Sequence, residues 1–268
     1  MNNMKTGFIG AGNMATAIIN GILRQKAEKP ENIFVFDLDE NKLRTMGEKG
    51  VGTLTSCREL TEKSDIIVLA IKPQNYDEVL EEIRDEVDSS KTFVTIAAGI
   101  SIDYIRNRLG TDVPAVRVMP NTPLLLGKGA TAMCQSENID KDIFDKIYNM
   151  FALSGDVALL DESRMNAVIA VNGSSPAYIY LFAKAMRDYA VSVGIDENTA
   201  MKLICKTFEG SAEMLRSSGD TPDQLITKVC SKGGTTIEAM NVLRDNKVEE
   251  TIINAMKACT KRAEELGK

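Results

Sequence analysis

The 268-residue sequence predicts an α/β fold: a doubly wound, mostly parallel sheet followed by a second, all-helical domain. Three observations carry that expectation. Short apolar, β-branched runs alternate with amphipathic stretches over the first 160 residues, a glycine turn follows the first of those runs, and the strand signal stops near residue 161.

Taken in order, "TGFIG" opens the sheet and a helical pattern follows over 14–27. "NIFVFD" is the second strand, with a helix over 39–48, and "DIIVLAI" precedes a helix over 75–86. "TFVTIAA", "PAVRVM", "GATAMC" and "DVALL" extend the sheet. Runs this short, separated by helices, read as βαβ units. After "DVALLDES" one helical pattern extends from Arg164 to Val193, and Gly173 and Pro176 in "NGSSPAY" should kink or part it. The next helix starts at Asp196, which reads as its N-cap, and runs towards Arg216. A third has Thr221 as N-cap, Pro222 at its first position and Asp223 in its first turn. Two more cover about 236–245 and 247–266, so the domains divide as 1–161 and 162–268.

Composition narrows the chemistry. A net charge of −6 argues against a nucleic-acid binder. Histidine is absent, which removes the usual general base, every Ser-His or Cys-His dyad and most catalytic metal sites. The five cysteines (Cys57, Cys134, Cys205, Cys230 and Cys259) are scattered, suggesting neither a disulfide framework nor a metal site. That cysteine pattern makes a reducing cytoplasm the expected home, and with no apolar run near the ~20 residues that span a bilayer the chain is expected to be soluble. Chemistry must then rest on a cofactor, or on Tyr, Thr, Lys, carboxylates or water.

In "GFIGAGNMATAI" Gly10 and Gly12 stand where a dinucleotide fingerprint has its first two glycines, with Ala15 in place of the third. The turn follows a strand and opens a helix, the context in which backbone amides grip a pyrophosphate. This makes the first domain Rossmann-like. The second strand ends at Asp37, where an acid accepts the ribose hydroxyls of NAD; its repulsion of a 2′-phosphate, about 1–4 kcal/mol at contact, leans the reading towards NADH over NADPH. Asp37 or Asp39 capping the next helix is the plainer alternative. Other strand ends carry "AIKPQ" (70–74), "IAAGIS" (96–101) and "MPNTP" (119–123), where small residues let a flat ring approach and prolines stiffen the loops. Lys72 is a cofactor ligand or a surface cation, and Asn121 a site residue or a turn former.

"VCSKGGTTIEAM" (229–240) places Lys232, Gly233 and Gly234 before a helix. Thr235 and Glu238 read as a capping box. The glycine pair permits converging N–H groups that, with the helix front, suit a small carboxylate; Thr236 adds a hydroxyl.

These motifs, with "NGSSPAYIY" and "RVMPNTP", resemble pyrroline-5-carboxylate reductases over essentially the whole chain and in the same order. The resemblance implies a dinucleotide-binding domain over 1–161 and an all-helical substrate and dimerisation domain over 162–268. It further implies a homodimer, often assembled into larger rings. It implies that Glu162, Ser231, Gly234, Thr235 and Thr236 meet the imino-acid substrate, with Thr236 catalytic. It also implies that Gly10, Ala11, Gly12, Asn13, Met14, Ala70, Ile71, Lys72, Pro73 and Ala97 line the NAD(P)H site. Departures from the family pattern are Lys232 for a proline, Cys57 for an asparagine near the adenosine, Asp37 for a small polar residue and Ser175 for a glycine. Two alternatives stand: a β-hydroxyacid dehydrogenase, for which Lys184 would be the catalytic lysine, and a non-catalytic dinucleotide-binding redox sensor.

Overall fold

Every apolar run expected to be a strand forms one. The computed structural model describes residues 4–267. Strands β1 (Thr6–Ile9), β2 (Ile33–Phe36), β3 (Gly52–Thr53), β4 (Ile66–Leu69) and β5 (Thr92–Thr95) are joined through α1 (Asn13–Arg24), α2 (Glu40–Gly47), α3 (Cys57–Lys63) and α4 (Tyr76–Ile83). Then come α5 (Ile102–Leu109), β6 (Ala115–Met119), β7 (Gly129–Gln135), α6 (Lys141–Ala152) and β8 (Gly155–Leu159). Their spatial order is β3-β2-β1-β4-β5-β6-β7-β8. All neighbours run parallel except β6 and β7, which pair antiparallel. The edge strand β3, two residues long, is too short to carry a pattern in the sequence.

Alternation across the pleat sends side chains to both faces, and each face is covered by helices, as a parallel sheet requires. On one face Ile9, Ile67, Leu69 and Phe93 pack with Leu60, Leu80, Ile83 and Ile105 of α3, α4 and α5. On the other, Phe8, Val35, Val68 and Val116 pack with Ile18, Ile22, Ile147 and Phe151 of α1 and α6.

The chain from residue 160 on is helical: α7 (Met165–Val168), α8 (Ser175–Ser192), α9 (Glu197–Ser217), α10 (Pro222–Val229), α11 (Thr235–Asp245) and α12 (Val248–Leu266). The break expected at Gly173 and Pro176 is a π-helical turn over Ile169–Gly173, after which α8 restarts with Pro176 in its first turn, where a missing N–H costs nothing. Asp196 caps α9 by accepting from the Thr199 amide, and Thr221 caps α10 in a box closed by Gln224. Tertiary contacts gather the chain up to Ser174, together with the stretch from Ala258 on, into one compact body; Ser175–Lys257 form a second. Within the first, Gly99 lies so close to the tail of α12 that a Cβ would stand 2.5 Å from the Ala263 carbonyl. Among the described residues no helix is long and apolar enough to cross a membrane.

Candidate active site

Strand register gathers one set of candidate residues, within the first body. Ile9 pairs with Phe36 and Leu69, and Leu69 with Thr95, so four strands end level. Gly10, Asp37, Ala70 and Ile96 are each the next residue. The chain order reverses between β1 and β4, which places these ends at the crevice where open α/β sheets bind ligands.

Gly10 has φ +102°, and a Cβ there would lie 2.5 Å from the Ala70 carbonyl oxygen, so the turn admits only glycine. Gly12 differs: a Cβ on it would meet nothing within 4 Å. It caps α1 with no side-chain hydrogen bond, leaving the front of this 12-residue helix without a side-chain acceptor beside open space. That cradle fits a pyrophosphate. Ala15, 1% exposed, sits against the sheet as the fingerprint requires.

Asp37 is held from three sides. One carboxylate oxygen accepts from the Ala11 amide (2.7 Å), the other from the Asp39 amide (2.9 Å), and Lys42 Nζ stands 3.2 and 3.3 Å from the two. Partial burial raises its pKa, but these hydrogen bonds outweigh burial and keep the carboxyl below its ordinary value. Asp39 is the cap of α2, accepting from the Asn41 amide. Lys72 is exposed, while Ile71 and Pro73 are partly covered and Ala97 is buried. Asn13 is exposed and Met14 partly covered. Cys57 is buried in the core and its thiol is pushed up to about 12 by burial.

Beneath these loops lies a polar bracket that the sequence did not disclose. The buried Tyr76 hydroxyl donates to the Leu69 carbonyl (2.9 Å) and lies 2.8 Å from Thr95 Oγ1, which accepts from the Ala97 amide. The strand ends at 69 and 95 are thereby tied together. A second tie joins the end of β6 to β7 and the π turn: Asn121 accepts from the Ala130 amide and donates to the Asn172 carbonyl, while Asn172 donates to Met119 and Ala130. Asn121 is therefore a stitch in the first body.

Glu162 also belongs to the first body. Its carboxylate accepts from the Ile102 amide at the front of α5 (2.8 Å) and lies 3.8 Å from the buried guanidinium of Arg117. Burial lowers the Arg117 pKa, and Glu162 opposes that shift.

In the second body, Ser231, Gly234, Thr235 and Thr236 gather at one turn. The Gly234 amide donates to the Ser231 carbonyl (3.0 Å), and Gly233 supplies a φ of +72°. The expected capping box is not formed. Gly234, with extended dihedrals, is the cap of α11, and Thr235 is already its first helical residue. A Cβ on residue 234 would lie 2.3 Å from Ser231 Oγ, so the turn is tight enough to start the helix one residue early. No side chain caps α11, which leaves its first-turn amides facing outward beside the exposed Thr236. Lys184 is a solvated helix position, paired with Asp188 four residues on at 2.7 Å.

Residues 162–266 match the family model described as pyrroline-5-carboxylate reductase dimerisation, and residues 5–99 the model described as NADP oxidoreductase, coenzyme F420-dependent. A pyrroline-5-carboxylate reductase of Escherichia coli is 35% identical over 98% of both chains. One from Methanosarcina acetivorans is 34% identical over 100% of both. Among solved structures, the Plasmodium falciparum pyrroline carboxylate reductase with NADP bound aligns at a TM-score of 0.92 with 31% identity, covering 100% of both chains. The Coxiella burnetii pyrroline-5-carboxylate reductase gives 0.88 with 33% identity, again over 100% of both. With a dinucleotide crevice, an uncapped glycine-led helix and whole-length kinship of this degree, the chain belongs to the pyrroline-5-carboxylate reductase family.

Proposed function

We infer that this protein is an NAD(P)H-dependent oxidoreductase that reduces the C=N bond of 1-pyrroline-5-carboxylate to give L-proline, the last step of proline biosynthesis. The observation that carries the reading is the front of α11, where no side chain takes up the first-turn amides that would grip a small carboxylate.

The coenzyme, when bound, supplies a hydride to C5 of the ring. The chain's own residues do the rest by orientation. Gly10 to Met14 hold the pyrophosphate with backbone amides, Asp37 takes the adenosine ribose, and Ala70, Ile71, Lys72, Pro73 and Ala97 form the wall of the crevice. Ser231, Gly234 and Thr235 bind the substrate carboxylate. Thr236, directly or through a water, holds the ring nitrogen, which is basic enough to be protonated without histidine. Glu162 lies near the substrate by the family comparison. NADH is the preferred coenzyme because Asp37 keeps its charge where a 2′-phosphate would come. The exposed apolar side chains of the second body support assembly as a homodimer or an oligomer of dimers. Five free thiols support a reducing, cytoplasmic home.

Initial rates with NADH and NADPH at matched pyrroline-5-carboxylate test both reaction and coenzyme. Thr236→Ala should lower kcat/KM by about tenfold or more, the scale of one hydrogen bond made at the reacting group. Unchanged kinetics would remove Thr236 from the mechanism. Oxidation of 3-hydroxy acids in place of imine reduction would reinstate the hydroxyacid dehydrogenase alternative.

A further inference from the structure

The Asp37 carboxylate has room for about four hydrogen bonds, two to each oxygen. All four places are filled. The Ala11 and Asp39 amides occupy one on each oxygen, and Lys42 Nζ reaches both. The two amides are main-chain groups of the glycine turn and of the approach to α2, fixed by the fold. Lys42 is a different kind of donor: its side chain is 42% exposed against 13% for Asp37, on a flexible stem that can leave without disturbing the backbone. A ribose hydroxyl that is to donate to Asp37 must therefore displace Lys42. A 2′-phosphate, which repels Asp37, would instead draw the Lys42 ammonium to itself.

We propose that Lys42 is the specificity-determining residue of the coenzyme site, exchanging between the Asp37 carboxylate and the 2′-phosphate of NADPH. It keeps the site open to a coenzyme that Asp37 alone would exclude. The proposal rests on the assignment of the strand ends as the dinucleotide site. Within that assignment it separates two roles that one acidic residue is usually given: Asp37 selects for the free ribose, and Lys42 limits how strict the selection is. Arg44, the other cation of α2, is turned away onto the Asn41 side chain (3.1 Å) and takes no part.

The test is calorimetric binding of two coenzyme fragments, 5′-AMP and adenosine 2′,5′-bisphosphate, to the purified protein and to Lys42→Met, Lys42→Gln and Arg44→Met, with thermal melts confirming folding. Lys42→Met and Lys42→Gln should weaken the bisphosphate by about tenfold, the scale of one ammonium–phosphate contact near a surface. They should leave 5′-AMP equally bound or tighter, because a competitor for Asp37 is gone. Arg44→Met should leave the ratio of the two affinities where it was. The ratio of kcat/KM for NADPH to that for NADH should follow the fragments. If both fragments bind the wild-type protein and the Lys42 variants do not move the ratio, or Arg44→Met moves it as far, the role of Lys42 is refuted while the site stands. If neither fragment nor NADH binds the wild-type protein, the site assignment itself is refuted, and this inference with it.

Discussion

At the scale of single residues, the site depends on two polar groups whose hydrogen bonds differ in kind. Tyr76 is wholly buried, and its hydroxyl ties Leu69 to Thr95 under the loops that follow β4 and β5. Tyr76→Phe leaves a carbonyl and a hydroxyl short of a partner, and should cost about 1–3 kcal/mol in denaturant titration. It should also raise KM for the coenzyme more than it lowers kcat, since only the wall at 70–73 and 97 is loosened. Asp37 gives a pH signature. Its folded pKa lies below the ordinary 3.8, so its contribution to stability is complete above 3.8 and lost as pH falls through the folded value. Asp37→Asn should flatten that part of the acid limb in melts taken from pH 5 downward. Asp37 and Gly10 were legible in the sequence because strand ends and glycine turns are local features. Tyr76 was not: its partner Thr95 is 19 residues away, and only the closing of β4 against β5 brings the two together.

Among elements, the βα turn and the front of α11 show how much a pattern can say. Gly10→Ala meets both a left-handed φ and the Ala70 carbonyl, so it should destabilise the protein by at least about 1–3 kcal/mol and abolish tight NADH binding. Gly12→Ala meets open space. It should cost less than about 1 kcal/mol in stability yet weaken NADH at least tenfold by filling the cradle, a contrast that fluorescence titration beside denaturant melts would register. The strand runs, the caps at Asp196 and Thr221 and the break before Pro176 were readable because each is decided within a few residues. The starting residue of α11 differs from the one the local pattern predicts. T-x-x-E satisfies the capping pattern, but the close approach of Gly234 to Ser231 moves the cap back to the glycine and leaves Thr235 inside the helix. The π turn was likewise beyond reach, since it is held by Asn172 reaching across to Met119 and Ala130.

For the whole molecule, the two bodies differ in how their apolar side chains are used. The first buries them on both faces of its sheet. The second has a small core of Ala190, Ala200 and Ile204, while Leu181, Tyr189, Leu203, Val229 and Val242 are each at least 60% exposed. A surface of that kind is ordinarily covered by another molecule, and the match of 162–266 to a dimerisation family names a second copy as the natural cover. Melts should therefore depend on protein concentration, with Tm rising several degrees between micromolar and hundred-micromolar samples; a Tm independent of concentration would count against a cover that dissociates on unfolding. The same bareness bears on biosynthesis. A newly made chain would emerge with the apolar side chains of residues 175–257 bare, so for this enzyme maturation would be a second-order event, slow when copies are scarce and exposed to chaperones and proteases until a sister chain arrives.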